Sequence, residues 1–353
     1  MSDVSGKRNI QIDLMKFILA AIVVADHVRP FNGEAGFFLL DCIGLIVDPM
    51  FFVFTAYFFF DKVFKRQWKT KDLGKYLKRI GILYGIWVLF YLPRIWNLCM
   101  AKSGGWKEGL RYLLQKVFLA GPYGALWFLT ALLLAMPLTF FLGKRLGGRG
   151  CAAVAVPFYL FTTVMTMYGR LGETFFFLQQ LQMWAEKIFE WLANGLTYGF
   201  FFCSLGLLLA ERSQTWNEDT RVSPIVLLLA VGTRFLECYA TRALGIALSY
   251  GAGLSQIFLS YIVTKQLILQ GKRGTENKRT EKVCFFLSQM SILIFTLHYG
   301  VMELFRFLWK DIGFYDSNAI VQYLWVLGSS CAISALIVWA SKKPKLQFLK
   351  CLY

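Results

Sequence analysis

The first long apolar stretch of the chain, Ile10–Val28, carries four ionisable side chains, Asp13, Lys16, Asp26 and His27. Ionisable groups at membrane depth are costly, so they mark a functional site by default. In a helix, the eleven residues from Lys16 to His27 make about three turns, which places both side chains on one face about 16 Å apart. Asp13 lies one turn before Lys16, near the same face.

This arrangement could perform acid–base chemistry on an anionic substrate. A cation near one end of the face would bind an anion, and the imidazole deeper in the helix would act as a base. The alternative is a charged helix end followed by a histidine whose hydrogen bonds are satisfied within the helix bundle.

The composition predicts the kind of fold that positions these residues. Of the 353 residues, 57% are hydrophobic, whereas soluble domains have about 45–50% apolar residues. Apolar runs of about 20 residues, long enough to cross a bilayer, recur along the whole chain. We therefore predict an all-α polytopic integral membrane protein, a single membrane-embedded domain over residues 1–353. The ten predicted spans lie near residues 10–28, 37–60, 79–99, 117–142, 151–167, 194–211, 223–240, 247–268, 284–308 and 319–340.

The basic residues predict the orientation of these spans. With the N-terminus in the cytoplasm, the cytoplasmic segments carry roughly twice as many Lys and Arg residues as the outer ones, as the positive-inside rule requires. Both termini are therefore predicted to be cytoplasmic. The net charge of +17 is largely a topology signal, and no nucleic-acid partner is expected because the basic residues lie in short loops. The most basic of these are residues 61–79, 143–150, 265–282 and 342–345.

The loop at residues 61–79 has a second interpretation. Its charges could attract anionic headgroups of the lipid bilayer or the phosphates of a cytoplasmic donor. Lys78 and Arg79, at the end of this loop, are the candidates for contact with such phosphates. Otherwise they anchor the third span at the inner surface of the membrane.

No metal site or disulfide framework is expected. The eight cysteines are scattered without a C-x-x-C pair. The chain contains only two histidines, His27 and His298, so a histidine-rich metal site is not predicted.

Four motifs resemble those of the membrane acyltransferase-3 family. Residues 12–16, IDLMK, precede His27, where the family has an Asp, an Arg and then, ten residues later, a His. Residues 48–59, DPMFFVFTAYFF, are similar to P-x-F-F-x-x-S-G-Y-F-L. Residues 126–132, LWFLTAL, are similar to W-F-L-x-A-L, and residues 291–298, SILIFTLH, correspond to Y-x-x-H in a late span. The matches keep the family's order over nearly the whole chain.

The chain departs from the family pattern at two places. Lys16 stands where the family usually has Arg, which keeps the charge but loses the planar bidentate fork. Thr55 and Ala56 replace the usual Ser-Gly, which keeps the hydroxyl and adds a methyl group at a close-packed point. These departures point towards the branch that includes the membrane portions of serine and alanine racemases.

The resemblance implies an O-acyltransferase of the bacterial cytoplasmic membrane. Such an enzyme moves an acyl group, most often acetyl, from cytoplasmic acyl-CoA to a hydroxyl of an extracytoplasmic carbohydrate or cell-envelope glycan. His27 would be the general base or a transient acyl acceptor. Lys16 would hold the phosphates of the donor or stabilise the developing oxyanion, and Asp13 would orient Lys16. No metal is implied.

Four further residues are candidates with two interpretations each. Tyr57 and Trp127 could contact the donor or the acceptor, or could pack in an interfacial belt. Asp48 could cap a helix break at Pro49 or line the same cavity as His27. His298 could bind substrate or be a polar residue hydrogen-bonded between helices.

A membrane transporter, for example of a small amino acid such as serine, is the alternative function. A transporter is expected to show paired broken helices at matching positions of two halves. Only one such break, at Pro49, is visible in the sequence. The oligomeric state is left open.

Overall fold

The computed structural model describes residues 8–102, 104–217, 220–273, 277–309 and 318–353. Within these residues the chain is helical and contains no strand, which confirms the all-α prediction. The α-helices are α1 (Ile10–Val28), α2 (Gly33–Gly36), α3 (Val47–Lys65), α4 (Thr70–Ala101), α5 (Trp106–Gln115), α6 (Leu126–Met165), α7 (Gly169–Gly172), α8 (Phe176–Phe189), α9 (Phe200–Ser213), α10 (Pro224–Ala243), α11 (Leu254–Arg273), α12 (Lys278–Trp309) and α13 (Ala319–Ala340). Tighter or wider helical turns occupy Phe37–Ile43, Gly44–Ile46, Lys116–Ala120, Gly195–Gly199 and Pro344–Leu352.

Six helical segments among the described residues are long and apolar enough to cross a membrane. The ten predicted spans and their orientation stay predictions. Two of them, near residues 117–142 and 151–167, fall largely within α6, which consists of two helices joined by a kink at Gly147, where φ is 68° and ψ is 177°. The predicted span near residues 10–28 coincides with α1. This helix is not among the six apolar segments because it carries the ionisable residues Asp13, Lys16 and Asp26. The six segments are Gly33–Lys65, Thr70–Ala101, Leu126–Met165, Pro224–Ala243, Lys278–Trp309 and Ala319–Ala340.

The second predicted span, residues 37–60, is not a regular helix throughout. It begins with a π-helix at Phe37–Ile43 and a 3-10 turn at Gly44–Ile46. The α-helix α3 starts only at Val47, so Pro49 lies in its first turn. A proline is tolerated there because its missing N–H would have no intrahelical partner. The break predicted near Pro49 is therefore the change from irregular to regular helix.

Helix α9 lies at the centre of the bundle, packed between α3 and α6. Eleven of its 14 residues are buried. Its Gly206 faces α3: a Cβ there would lie 2.6 Å from the carbonyl oxygen of Val53 and 2.6 Å from the Cβ of Ala56. The methyl group that Ala56 adds at this point is thus accommodated by the missing side chain of Gly206.

Gly206→Ala is expected to lower the free energy of unfolding by about 1–3 kcal/mol, because the added methyl must displace the backbone of α3. Gly232→Ala in α10 is the matched control, since a Cβ there would meet nothing within 4 Å. The control should be neutral or slightly stabilising because alanine favours helix over glycine. Thermal unfolding of both variants in one detergent measures the difference, and equal effects of the two substitutions would contradict this packing.

A buried arginine fixes the irregular start of the second span. Arg234 in α10 is 1% exposed. Its Nε donates to the carbonyl of Cys42 at 2.9 Å, and its Nη2 donates to the carbonyls of Asp41 at 3.1 Å and Tyr250 at 2.9 Å. Nη1 lies 3.8 Å from a carboxylate oxygen of Glu237. The guanidinium therefore joins the π-helix to α10 and to the loop before α11.

Helix α1 packs mainly against α12 and also contacts α3, α11 and α13. Asn9 caps its N-terminus by accepting from the N–H of Ile12 at 3.1 Å and anchors it by donating to the carbonyl of Leu267 at 3.0 Å. Arg29 ends it in the left-handed conformation, with φ 56°. Because α12 runs alongside α1, His298 of α12 is brought next to His27 of α1.

Candidate active site

A basic cavity of about 780 Å³ lies at the end of the bundle where α1 begins and α3, α9 and α11 end. Four cations and two carboxylates contribute to its lining, together with two aromatic rings. Such a surplus of positive charge suits an anionic ligand. These eight residues are Arg8, Lys16, Lys65, Lys272, Asp13, Asp61, Tyr57 and Phe58.

Lys16 is held at the wall of the basic cavity by two contacts. Its Nζ lies 3.9 Å from a carboxylate oxygen of Asp13 and 4.7 Å from the centre of the Phe58 ring. Asp13, which is 4% exposed, also accepts a hydrogen bond from Arg8. Helical spacing alone explains the first contact, since residues three apart face each other. The Lys16 side chain keeps 24% of its surface exposed, so its ammonium can still reach a ligand.

A second cavity, the histidine cavity, lies near the other end of α1 and has a volume of about 40 Å³. This is room for about one water-sized group. The ionisable residues at its wall are His27, Asp26 and Asp48, and the indole of Trp127 also faces it. The remaining lining is apolar backbone and side chain, at Val23, Gly44, Leu45, Val47, Ala125 and Phe295.

His27 belongs to a cluster of three rings. Its Nδ1 lies 3.1 Å from the hydroxyl oxygen of Tyr299. Its ring is stacked on that of His298, with centroids 5.2 Å apart and planes 11° apart. Gly124, at φ 48°, allows Tyr299 to come close, because a Cβ at that position would lie 2.4 Å from the Tyr299 ring.

His298 is completely buried. Its Nδ1 lies 3.1 Å from the carbonyl oxygen of Ile294, one turn earlier in α12. Its Nε2 has no hydrogen-bond partner within the described part of the chain. A buried polar atom without a partner requires an explanation, because its desolvation is not compensated.

The structure brings some predicted residues together and separates others. Tyr57 lines the basic cavity with Lys16, whereas Asp48 and Trp127 line the histidine cavity with His27. Lys16 and His27 line different cavities, so this geometry favours anion binding over oxyanion stabilisation for Lys16.

The remaining candidate residues lie outside the two cavities or make contacts other than those predicted. Lys78 and Arg79 are exposed on α4 and line neither cavity. The cap of α3 contains no side-chain hydrogen bond, so Asp48 faces the cavity without capping the helix. His298 is packed against His27 and does not line the histidine cavity.

Several residues that the fold brings to these cavities carry no distinguishing signal in the sequence. Tyr299 directly follows His298 in an aromatic span, and nothing in its spacing distinguishes it from a packing residue. Lys272 and Lys65 lie within the basic segments, but only the fold shows that these two meet Arg8 in one cavity. In the described ranges, no group of three or more His, Cys, Asp or Glu side chains could hold a metal ion.

Comparison with known proteins gives two kinds of match. A family model described as an acyltransferase domain covers residues 9–339. Two proteins of Enterococcus faecalis, each named amino-acid racemase, are similar to 60% and 62% of this chain, at 22% identity over 224 residues and 25% over 228 residues. The matched regions make up 29% and 31% of those relatives, so the chain spans less than a third of their length. No solved structure matches.

Proposed function

Because the chain belongs to the acyltransferase family whose model covers residues 9–339, we propose that it is a multi-pass membrane O-acyltransferase. It would move an acyl group, with acetyl as the proposed group, from cytoplasmic acyl-CoA to a hydroxyl of an extracytoplasmic carbohydrate or cell-envelope glycan. One observation carries this proposal: α1 contributes Lys16 to the basic cavity and His27 to the histidine cavity.

The basic cavity is the proposed binding site of the donor. The phosphates of acyl-CoA would lie among Arg8, Lys16, Lys65 and Lys272, since charge-assisted bonds to phosphate are the strong ones. Lys78 and Arg79, outside this cavity, would add a long-range attraction at the cytoplasmic surface. The Lys16 and His27 positions are about 16 Å apart along the helix axis. The long pantetheine arm of the donor would bridge this separation and bring the thioester to His27.

The histidine cavity is the proposed place of the chemical step. The unprotonated imidazole nitrogen of His27 takes the proton of the acceptor hydroxyl, while the hydroxyl oxygen of the acceptor attacks the thioester carbonyl carbon. The carbon–sulfur bond of the tetrahedral intermediate then breaks, and the leaving thiolate takes the proton back from the imidazolium. An ester and a free thiol result, and His27 returns to its starting form.

Asp26, Asp48 and Trp127 would handle the acceptor. The two carboxylates at the cavity wall can accept hydrogen bonds from hydroxyl groups, and an indole offers a flat apolar surface to a sugar ring. The cavity of about 40 Å³ is smaller than an acetyl group and an acceptor hydroxyl together, so its walls would have to move apart when the acceptor binds.

The proposed location is the bacterial cytoplasmic membrane, with both chain termini on the cytoplasmic side. This orientation places the basic cavity towards cytoplasmic acyl-CoA and the histidine cavity nearer the outer surface. The transporter alternative gains no support from the relatives, because their names describe racemisation.

Transfer of radiolabel from acetyl-CoA tests the proposal. Inside-out membrane vesicles containing the protein, which expose the cytoplasmic side, should incorporate label into glycan or lipid-linked saccharide. Right-side-out vesicles and vesicles lacking the protein should not. Equal incorporation with and without the protein, at verified expression, would contradict the proposed activity.

Lys16→Gln is expected to raise KM for acetyl-CoA roughly tenfold or more, because a hydrogen bond to a charged phosphate is lost, while kcat changes little. Lys62→Gln is the control. Lys62 is exposed at the end of α3 that borders the basic cavity, but its side chain does not line the cavity. Steady-state kinetics in vesicles separates the two constants. A fall in kcat with an unchanged KM would move Lys16 out of donor binding.

A further inference from the structure

The histidine cavity is too small for the whole acceptor of the proposed reaction. Its volume of about 40 Å³ is room for about one water-sized group, so it has no space for a sugar ring. The ring that carries the reacting hydroxyl must therefore lie beside this cavity. A larger space is expected next to one of the residues of its wall.

A further cavity, here called the Arg29 pocket, adjoins the histidine cavity and has a volume of about 320 Å³. Asp26 lines the histidine cavity, Arg29 lines the Arg29 pocket, and the two side chains form an ion pair at 3.6 Å. Arg29 follows His27 by two residues, at the end of α1 away from Lys16. The pocket thus begins at the histidine end of this helix. Besides Arg29, its lining includes Phe31, Asn32, Asp41, Arg242 and Tyr250.

The charged groups of the Arg29 pocket are already paired with carboxylates. Nη1 and Nη2 of Arg29 donate to the two carboxylate oxygens of Asp41, at 2.9 and 3.2 Å, and Asp26 contacts the same guanidinium. Arg242 donates in the same way to both oxygens of Glu34, at 3.1 and 2.6 Å. Three carboxylates thus face two guanidinium groups, whereas four cations and two carboxylates line the basic cavity. An anionic ligand would meet a surplus of negative charge in the Arg29 pocket.

The remaining surface of the Arg29 pocket suits hydroxyl groups and a sugar face. The side chains of Arg29 and Arg242 keep 47% and 41% of their surface exposed, so N–H donors stay accessible. Asn32 precedes the short helix α2 but its amide does not cap that helix, which leaves its donors and its acceptor for a ligand. The rings of Phe31 and Tyr250 supply aromatic faces, which attract the C–H groups of a sugar.

We propose that the Arg29 pocket binds one neutral sugar unit of the acceptor and directs its reacting hydroxyl past the Asp26–Arg29 ion pair into the histidine cavity. The pocket volume is near the lower end of ligand cavities, about 300–1,000 Å³, which suits a single sugar unit. Sugars bearing a carboxylate or a phosphate are disfavoured by the paired guanidinium groups. The role of the bound sugar as acceptor rests on the proposed function, whereas its binding does not.

A glycine in the lining of the Arg29 pocket allows the space to be filled without a clash. Gly33 lines the pocket at φ 60°, and a Cβ there would meet nothing within 4 Å. Asparagine tolerates a positive φ better than most residues, so Gly33→Asn adds an amide side chain to the space of the sugar. Gly245→Asn is the matched control, because Gly245 has φ 64°, equally free surroundings and a position outside the pocket.

Saturation-transfer NMR of the protein in lipid nanodiscs measures saccharide binding without any reaction. The probes are methyl β-glucopyranoside and methyl β-glucuronopyranoside, in which a carboxylate replaces the CH2OH group of the neutral glycoside. We expect the wild type and Gly245→Asn to transfer saturation to the neutral glycoside and much less to the charged one. Gly33→Asn should weaken binding of the neutral glycoside roughly tenfold or more, because side chain and sugar compete for one space.

Three results would overturn this assignment of the Arg29 pocket. These are equal transfer to the two glycosides, an undiminished signal from Gly33→Asn, and the lack of a signal from the wild type. Asn32→Ala guards against a folding defect of Gly33→Asn, because it removes an amide that caps no helix and adds no bulk. It should weaken binding of the neutral glycoside about fivefold and leave thermal unfolding unchanged.

Kinetics distinguishes a failure of this site from a failure of the proposed function. With methyl β-glucopyranoside as acceptor, Asn32→Ala and Gly33→Asn should each raise KM for the glycoside and leave KM for acetyl-CoA unchanged. Binding of the glycoside to a protein that transfers no acetyl group would refute the proposed function and leave the sugar site standing. Acetyl transfer with an unchanged KM for the glycoside in both variants would refute the sugar site and leave the proposed function standing.

Discussion

His27→Gln is expected to reduce acyl transfer at saturating acyl-CoA by at least about 100-fold, since general acid–base catalysis contributes about 10²–10⁴-fold. Glutamine keeps a polar side chain at the wall of the histidine cavity but has no basic nitrogen. KM for acyl-CoA should stay near its original value, because His27 does not line the basic cavity. Steady-state kinetics in vesicles, normalised to the amount of folded protein, measures both constants.

Two results would contradict this role of His27. Transfer within a few-fold of the original rate would exclude His27 as base and as acyl carrier. A large rise in KM with an unchanged kcat would place His27 in donor binding instead. Asp26→Asn provides a useful comparison, because it changes the charge of the same cavity and leaves the imidazole in place.

Arg234→Met is expected to lower the free energy of unfolding by about 3–5 kcal/mol, the usual cost of removing one partner of a buried ion pair. Methionine fills part of the space but leaves the carbonyls of Asp41, Cys42 and Tyr250 without their donor. It also leaves Glu237, whose side chain is 9% exposed, without its cation. Thermal unfolding in detergent measures the loss.

Arg94→Met is the control for this substitution. Arg94 forms an ion pair with Glu303 at 3.4 Å, but its side chain is 49% exposed. Exposed pairs contribute about 0–1 kcal/mol, so the same change should cost little there. Similar losses in the two variants would show that the three carbonyl contacts of Arg234 do not stabilise the start of the second span.

The fold could be predicted from the sequence where local pattern determines it. Apolar runs indicated the helices, and the family motifs indicated the order in which they occur. Hydropathy could not show that the predicted second span starts as a π-helix at Phe37–Ile43, since this depends on the distant Arg234. Nor could it show that the predicted span at 117–142 becomes α-helical only at Leu126, after glycines with positive φ at Gly121 and Gly124.

The candidate site, too, could be predicted from the sequence only where local spacing determines it. The proximity of Asp13 and Lys16 follows from helical spacing. The meeting of His27, Asp48 and Trp127 requires three different helices to pack, so the sequence offered it only as one of two interpretations. The contact of Tyr299 with His27 joins residues 272 positions apart and had no signal in the sequence at all. Lys16 and His27, which were predicted to share one face of this helix, line two separate cavities.

We propose above all that donor binding and the chemical step are separated along α1. The most direct test is a single-turnover measurement of acetyl transfer from radiolabelled acetyl-CoA, at increasing donor concentration, in the wild type, Lys16→Gln and His27→Gln. We predict that saturating donor restores transfer by Lys16→Gln to near the wild-type rate and fails to restore transfer by His27→Gln. Transfer by His27→Gln near the wild-type rate, or a defect of Lys16→Gln that no donor concentration relieves, would contradict the claim.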